Sequence, residues 1–225
     1  MKKVLLSVSV LAVATFFGAC KKSNNTPSNS ASVMFVNGCA GNAGVNVSAN
    51  NTSVSSASNL LYLKNTSYQS VTAGSSVNIA FISPSLGTTI ISRTPTLTAN
   101  QNYSVFLGGL DNASTFLCVS DDLTAPTSGN AKIRLVNLSS DNLSVRAQAG
   151  NTVFASGISS LSASAFSNIP VTGSSTTISA GDSTNFYTIK DAMAQPLIAG
   201  KIYTVIYTGT AAGTGSLAVS VINNN

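Results

Sequence analysis

The stretch Pro196-Leu-Ile-Ala-Gly-Lys-Ile-Tyr-Thr-Val-Ile-Tyr207 indicates the fold, because a related stretch occurs earlier, from Pro95 to Phe106. Four residues recur 100 positions apart, namely Leu97, Ala99, Tyr103 and Val105 as Leu197, Ala199, Tyr203 and Val205. In both stretches a turn leads to a tyrosine that opens an alternating strand, which is the local pattern of a tyrosine corner in a Greek-key β-sandwich. The sequence therefore predicts one β-sandwich built twice.

The opening strands of the two copies also match, as Ala31-Ser-Val-Met-Phe-Val-Asn37 and Ala131-Lys-Ile-Arg-Leu-Val-Asn137. In the second strand Lys132 and Arg134 alternate with apolar residues, so we expect their face of the strand to be solvated. The last strand repeats at the same spacing, and we expect its apolar side chains to face the cores: Leu117, Val119, Leu217 and Val219.

Composition supports an all-β protein with two domains. Of the 225 residues, 44% are hydrophobic and 8% are charged, and no long segment after the N-terminal region has apolar residues at helical spacing. We predict sandwiches over residues 32–124 and 130–222, with the boundary in a short stretch that contains Pro and Gly, residues 123–130, so that the two domains touch. The terminal Asn223-Asn-Asn225 is predicted to be frayed.

The N-terminus is predicted to be a lipoprotein signal peptide, residues 1–19. A basic Met1-Lys2-Lys3 and an apolar segment precede Phe17-Gly-Ala-Cys20, which resembles a bacterial lipobox. Cys20 would then carry acyl chains such as palmitate, and residues 20–31 would form a flexible tether from the membrane. No Asp follows Cys20, so we expect an outer-membrane location; the sequence does not distinguish the periplasmic side from the cell surface.

The segments Ala131-Lys-Ile-Arg-Leu-Val-Asn-Leu-Ser139 and Pro196-Leu-Ile-Ala-Gly-Lys-Ile-Tyr-Thr-Val205 resemble the domain-of-unknown-function family 4397. The resemblance extends over nearly all of the chain after the signal peptide and is clearer in the second copy. It implies a bacterial envelope protein, often a lipoprotein, with paired immunoglobulin-like domains. That family has no established catalytic residues, so the resemblance implies none here.

Several residue types are absent, and their absence excludes classes of function. The chain contains no His, Glu or Trp, which excludes a Ser-His-Asp triad, a histidine zinc site and a glutamate-pair glycosidase. No Ser lies three residues before a Lys in the folded part. From Ser30 onward seven basic side chains face six acidic ones without clustering, which argues against nucleic-acid binding. We therefore predict a non-enzyme without a cofactor.

Acidic residues of the first copy are candidates for a metal site. Asp111, Asn112, Asp121 and Asp122 could gather and bind calcium, or each Asp could hydrogen-bond the backbone of its own turn.

Cys39 and Cys118 could form a disulfide after export, since the first and last strands of such a sandwich can be neighbours. Strand parity opposes this bond, because Cys118 alternates with Leu117 and Val119 whereas Cys39 has the parity of the core-facing Val33.

Tyr103 and Tyr203 are predicted to be structural tyrosine corners rather than stacking platforms for sugar rings. Asp182-Ser183-Thr184 resembles an acceptor for periplasmic O-glycosylation at Ser183, and the alternative is a simple turn before a strand.

These observations leave two hypotheses for an outer-membrane lipoprotein. The first is a non-catalytic structural or protein-binding module of the cell envelope. The second is a glycan-binding accessory protein in polysaccharide capture, which would need exposed aromatic side chains. Four aromatic residues outside the corners are candidates for that role: Tyr62, Tyr68, Phe154 and Phe166.

Overall fold

The computed structural model describes residues 29–141, 143–171, 176–182, 186–188, 196–210 and 216–225. In these ranges the chain forms eighteen strands and one short 3₁₀ turn, Ser55–Ala57, which confirms the predicted all-β class. The strands of the first copy are β1 (Ser30–Asn37), β2 (Asn46–Ala49), β3 (Thr52–Ser53), β4 (Lys64–Asn65), β5 (Gln69–Thr72), β6 (Ile79–Ile82), β7 (Thr89–Arg93), β8 (Asn102–Leu110) and β9 (Ala113–Asp121). Those of the second copy are β10 (Asn130–Asn137), β11 (Val145–Ala149), β12 (Thr152–Ile158), β13 (Ser162–Ala163), β14 (Ser167–Pro170), β15 (Ile178–Gly181), β16 (Phe186–Thr188), β17 (Ile202–Thr208) and β18 (Ala218–Asn223).

The two copies have the same sheet topology. In the first copy one sheet has the order β4-β1-β8-β9, with β5 also paired to β1, and a second sheet has the order β3-β2-β6-β7. The second copy repeats this arrangement as β13-β10-β17-β18, with β14 on β10, and as β12-β11-β15-β16. The pairs β1–β8 and β10–β17 are parallel and all other pairs are antiparallel.

Each copy has its own apolar core between its two sheets. Alternate residues of β1, such as Val33 and Phe35, are fully buried in the first core together with residues of β2, β6 and β8. The equivalent Ile133 and Leu135 occupy the second core. This alternation is what a strand at the centre of a sheet with one face on the core requires. The arrangement is consistent with β-sandwiches; the finer assignment to a tandem immunoglobulin-like pair stays a prediction.

A third apolar cluster lies between the copies. It contains Met34, Val36 and Phe106 of the first copy and Val136, Leu138, Ile206 and Ile222 of the second. The predicted contact between the sandwiches is therefore present. The expectation that Lys132 and Arg134 are solvated is wrong, since they retain 6% and 1% of their accessible surface. Their face of β10 is covered by the first copy.

The last strands align differently from the prediction. Val105 is paired with Cys118, whereas Val205 is paired with Val221. The paired positions are thus 16 residues apart in the second copy and 13 in the first. Because this difference of three is odd, Leu117 and Val119 lie on the opposite face of their strand from Leu217 and Val219. They pack against the cluster between the copies, although the sequence pattern predicted that they face the first core. Val219 and Leu217 do pack against the second core.

Both copies point in the same direction. Gly38, just after β1, lies so close to Leu138, just after β10, that a Cβ built on the glycine would be 2.6 Å from Leu138 Cδ1. We call the end of the pair near Ser30 and Asn130 the near end, and the opposite end, near Gly38 and Leu138, the far end.

The C-terminal residues also lie at the near end. The prediction that Asn223 to Asn225 fray is wrong, because the Asn224 side chain is buried between the copies and the Asn224 amide donates to the Ile202 carbonyl.

Candidate functional site

A buried ion pair joins the two copies. Arg134 Nη2 of β10 lies 2.5 Å from Asp121 Oδ1 at the end of β9, and neither side chain is more than 2% exposed. The guanidinium also donates to the Ser120 carbonyl at 3.2 Å, to Ser104 Oγ at 3.2 Å and to Thr204 Oγ1 at 3.0 Å. Burying a charge is costly unless it is paired and hydrogen-bonded, and these contacts meet that requirement.

Tyr68 extends this network to the C-terminus. Its hydroxyl donates to Asp121 Oδ2 at 2.6 Å and accepts a hydrogen bond from Asn224 Nδ2 at 3.1 Å. Burial and the neighbouring Asp121 carboxylate raise the pKa of the Tyr68 hydroxyl, so it stays protonated and serves as a donor. Ser104 Oγ makes a second 2.6 Å hydrogen bond to the same carboxylate oxygen. Asp121 is thus stabilised by both copies.

The opposite side of Arg134 is covered by an aromatic ring. The guanidinium carbon lies 4.6 Å from the centre of the Phe166 ring, and Lys132 Nζ lies 5.6 Å from it. This is the geometry of a cation–π contact. Phe166 precedes β14 as Tyr68 precedes β5, so the two aromatic residues occupy equivalent positions in the two copies.

The network is built from residues at equivalent positions of the two copies, and the side chains at these positions differ between the copies. The register of the strands makes Arg134 the counterpart of Met34, Thr204 the counterpart of Ser104, and Asn224 the counterpart of Asp121. This network was not predicted from the sequence. The pair Met34 and Arg134 was visible at the offset of 100 residues, but the longer loop before β18 concealed the match of Asp121 with Asn224.

A second ion pair fastens the connection between the copies to β10. Lys132 Nζ lies 2.6 Å from Asp122 Oδ2 and donates to the Thr124 carbonyl and hydroxyl. The Lys132 ammonium, together with hydrogen bonds from Thr124, lowers the pKa of the Asp122 carboxyl to about 2. Asp122 itself is more than half exposed, so this pair is screened by solvent.

The structure contradicts the proposed gathering of acidic residues for calcium. Asp121 and Asp122 lie at the near end of β9, whereas Asp111 and Asn112 form the turn between β8 and β9 at the far end. Asp111 accepts a hydrogen bond from Asn42 Nδ2 at 3.0 Å. In the part of the chain that the structure describes, no group of three or more acidic or thiol side chains could hold a metal ion.

The tyrosine hydroxyls of both corners bond to the backbone five residues upstream. Tyr103 Oη accepts from the Thr98 amide and Tyr203 Oη accepts from the Ile198 amide, each at 3.1 Å. Tyr203 is buried in the second core, and Tyr103 packs against the first. The hydroxyls are therefore engaged in holding the turns before β8 and β17.

Cys39 and Cys118 are free thiols on the same core. Cys39 Sγ lies 3.5 Å from Ser114 Oγ, and Ser114 precedes Cys118 by four residues on β9, a separation of about 13 Å along a strand. A disulfide needs Cβ atoms about 4 Å apart, which this placement does not allow. Burial raises the pKa of the Cys39 thiol, and burial together with Asp121 raises that of Cys118 to about 11.

None of the four aromatic candidates for sugar stacking is fully exposed. Phe154 is buried in the second core, and Phe166 is covered by Arg134. Tyr68 belongs to the network between the copies, and the buried hydroxyl of Tyr62 makes no hydrogen bond within the described residues.

A cleft opens at the side of each sandwich, where the edges of its two sheets face each other. In the first copy it has a volume of about 330 Å³ and lies between the β2–β3 hairpin, with Asn50, Thr52 and Ser53, and strand β5. In the second copy a cleft of about 450 Å³ lies between Gly150–Thr152 and strand β14. The clefts are equivalent, and no charged side chain lines either of them.

Two sites from the sequence analysis, the lipidation site Cys20 and the glycosylation site Ser183, lie outside the described residues. Among the residues that are described, no helix has the length and apolar character needed to cross a membrane.

A protein-family model described as a domain of unknown function, DUF4397, matches residues 31–148, just over half of the chain. The chain belongs to this family. The match covers all of the first copy and reaches into β11 of the second, so its extent differs from the prediction that the resemblance is clearer in the second copy. Comparison with curated proteins gives no significant match.

The DUF4397 match covers the first copy, and the repeated strand order extends the comparison to the second. The matched region contains both ion pairs described above, Arg134–Asp121 and Lys132–Asp122. The remainder of the second copy, from β12 to β18, repeats the strand order of β3 to β9.

Proposed function

We propose that this DUF4397 protein is a non-catalytic outer-membrane lipoprotein that serves as a structural or protein-binding module of the cell envelope. The observation that carries the proposal is the buried interface between the copies. An apolar cluster and a desolvated Arg134–Asp121 pair, braced by Tyr68, Ser104 and Thr204, hold the two sandwiches as one unit. A rigid unit loses little conformational entropy when it binds a partner, which suits a display or assembly role.

The direction of the strands supports this role. The chain reaches β1 at the near end, so a lipid on Cys20 would attach there through the tether of residues 20–31. The loops after β1 and β10 then lie at the far end, away from the membrane. The side edges of the sandwiches would remain accessible to other envelope proteins.

The glycan-binding alternative has less support from the described residues. Its four aromatic candidates are buried or half-buried, and three of them are engaged in packing or in the contact between the copies. Both side clefts are lined by hydroxyl, amide and small apolar groups without an aromatic platform. No observation on the described surface favours polysaccharide over protein.

The proposal is tested by crosslinking in intact cells, followed by isolation of the full-length protein. A Cys20→Ser variant removes the anchor, and Cys118→Val is the matched control because Val221 occupies the equivalent position in the second copy. We expect one envelope protein to be recovered with the natural chain and with Cys118→Val, but not with Cys20→Ser. Recovery of no protein, together with retention of polysaccharide by the purified chain, would contradict the proposal and favour the glycan function.

A further inference from the structure

The two side clefts differ in one respect that bears on binding, the backbone of the strand along their rim. In the first copy the Ala73 amide donates to the Asn29 carbonyl, so the backbone groups of Ala73 and, by strand alternation, Val71 face β1. The backbone N–H and C=O groups of Ser70 and Thr72 therefore face the opposite way, into the cleft. Both residues are exposed, and β5 pairs only with β1 among the described strands.

The equivalent edge of the second copy lacks one of these two backbone donors. The Val171 amide donates to the Gly129 carbonyl in the same way, which places the backbone of Pro170 toward the cleft. Pro170 pairs with Asn130 as Thr72 pairs with Ser30, so Pro170 is the counterpart of Thr72. Proline has no N–H to offer, and proline on an edge strand is a common protection against pairing with another chain. The edge of the second copy is thus partly protected, whereas that of the first copy is open.

We propose that the open edge of β5 binds an extended, uncharged segment of a partner polypeptide by β-strand addition. Ser70 and Thr72 would supply the backbone hydrogen bonds that give affinity in this mode of recognition. This inference deepens the proposed function and rests on it, since it assigns the partner-binding surface of the same module.

The chemistry of the cleft selects the partner segment. Its rim carries Asn50, Thr52, Ser53 and Gln69, which are neutral donors and acceptors, while the buried Val71 provides an apolar floor. A charged side chain entering the cleft would lose hydration without meeting an opposite charge. An extended segment whose small apolar and hydroxyl-bearing side chains alternate presents one kind to the floor and the other to the rim.

The test uses the full-length protein and a capped hexapeptide of alternating threonine and valine, with a hexapeptide of alternating lysine and valine as the charged comparison. Binding is followed by amide NMR shifts and hydrogen exchange. We expect the neutral peptide to shift the Ser70 and Thr72 amides saturably and to slow their exchange, and the charged peptide to bind at least about tenfold more weakly.

Three variants make the result specific. Thr72→Pro introduces the residue of the second copy and should weaken peptide binding about tenfold or more while the melting temperature is retained. Thr72→Val keeps the N–H and should bind like the natural chain. Pro170→Thr should open a second site, seen as shifts at the residues around β14.

Equal peptide binding by Thr72→Pro, or no shift at Ser70 and Thr72 in the natural chain, would overturn the inference. Protection of these amides in the free protein together with the mass of a dimer would overturn it as well, because a second copy would then occupy the edge. Thr72→Pro is also carried into the cell crosslinking experiment. If that variant still recovers the envelope protein, the module function stands and strand addition at β5 fails.

Discussion

At the scale of single residues, the corner tyrosine Tyr203 offers a direct test of the second core. Its buried hydroxyl accepts a hydrogen bond from the Ile198 amide. We expect Tyr203→Phe to lower the free energy of unfolding by about 1 kcal/mol, since the Ile198 amide loses its partner. Thermal and denaturant unfolding measure the change.

The matched control is Tyr62→Phe, because the buried Tyr62 hydroxyl has no hydrogen-bond partner within the described residues. Removing that hydroxyl should leave stability unchanged or slightly increased. Equal losses in the two variants would show that the corner hydrogen bond contributes nothing specific.

The cysteines provide a second test at this scale. We expect Cys39 and Cys118 to react slowly with iodoacetamide in the folded protein at neutral pH, because burial keeps both thiols protonated and shielded. In denaturant without reductant both should react fully, as counted by mass spectrometry on the Cys20→Ser chain. Failure of both to react until a reductant is added would mean that they form a disulfide.

The tyrosines and the cysteines differ in what the sequence could reveal. Two copies of a corner motif identified Tyr103 and Tyr203 from local pattern alone. The position of Cys118 depended on the pairing of β9 with β8, which places Cys118 opposite Val105 and on the first core. Nothing local to Cys118 distinguishes that face of the strand from the other, because both faces of β9 are apolar.

At the scale of elements, the connection from β9 to β10 should respond to acid. The Lys132 ammonium lowers the pKa of Asp122 to about 2 in the folded chain, below the ordinary value of about 3.9. The folded-state pKa is depressed, so the stabilising contribution is complete above about pH 4 and is lost as the pH falls toward about 2. A carbon NMR titration of the Asp122 carboxyl should give a midpoint near the lower value.

Lys132→Ser is the control for this titration, since Ser32 occupies the equivalent position of β1. The Asp122 midpoint should rise toward its ordinary value in that variant. An unchanged midpoint would show that Lys132 is not the cause of the lowered pKa.

The correspondence of strands between the two copies was largely predictable, but two features of these elements were not. Constant spacing identified β1 with β10 and β8 with β17, because these strands carry the core residues and the corner. It failed for β18, since a longer loop shifts the last strand by three residues without changing its apolar alternation. The charges of β10 predicted a solvated face, and only a neighbouring sheet with an aspartate at the right level could show otherwise.

At the scale of the whole molecule, the Arg134–Asp121 pair can be tested by exchanging residues between the copies. Arg134→Met introduces the residue of position 34, and Asp121→Asn that of position 224. Each single change leaves a buried group without its partner and should cost about 3 kcal/mol of unfolding free energy. The double variant should be more stable than the sum of the two losses predicts.

A double-mutant cycle in denaturant unfolding measures this coupling. Additive losses in the double variant would contradict a direct interaction between the two side chains. The cycle also separates the contribution of the ion pair from that of apolar packing, because the apolar cluster around Met34 and Phe106 is present in all four proteins.

The short connection between the copies predicted their contact but not its geometry. Two sandwiches joined by eight residues, 122–129, can meet by several faces. The face that is used carries the buried Met34 and Val36 of β1 and the buried Lys132, Arg134 and Val136 of β10. In β1 both faces are apolar, with Val33 and Phe35 on one and Met34 and Val36 on the other, so the local pattern cannot say which face belongs to the copy's own core.

The position of β1 also has a mechanical consequence. This strand lies inside its sheet, paired in parallel with β8 on one side and with β4 and β5 on the other. Tension applied between the N-terminal segment and the far end of the pair would pull along β1 and load its hydrogen bonds on both sides at once, in shear. Peeling them one at a time would need a pull across the sheet. The response of a domain to force is governed by its unfolding rate, so attachment through β1 would make forced unfolding of the first sandwich slow.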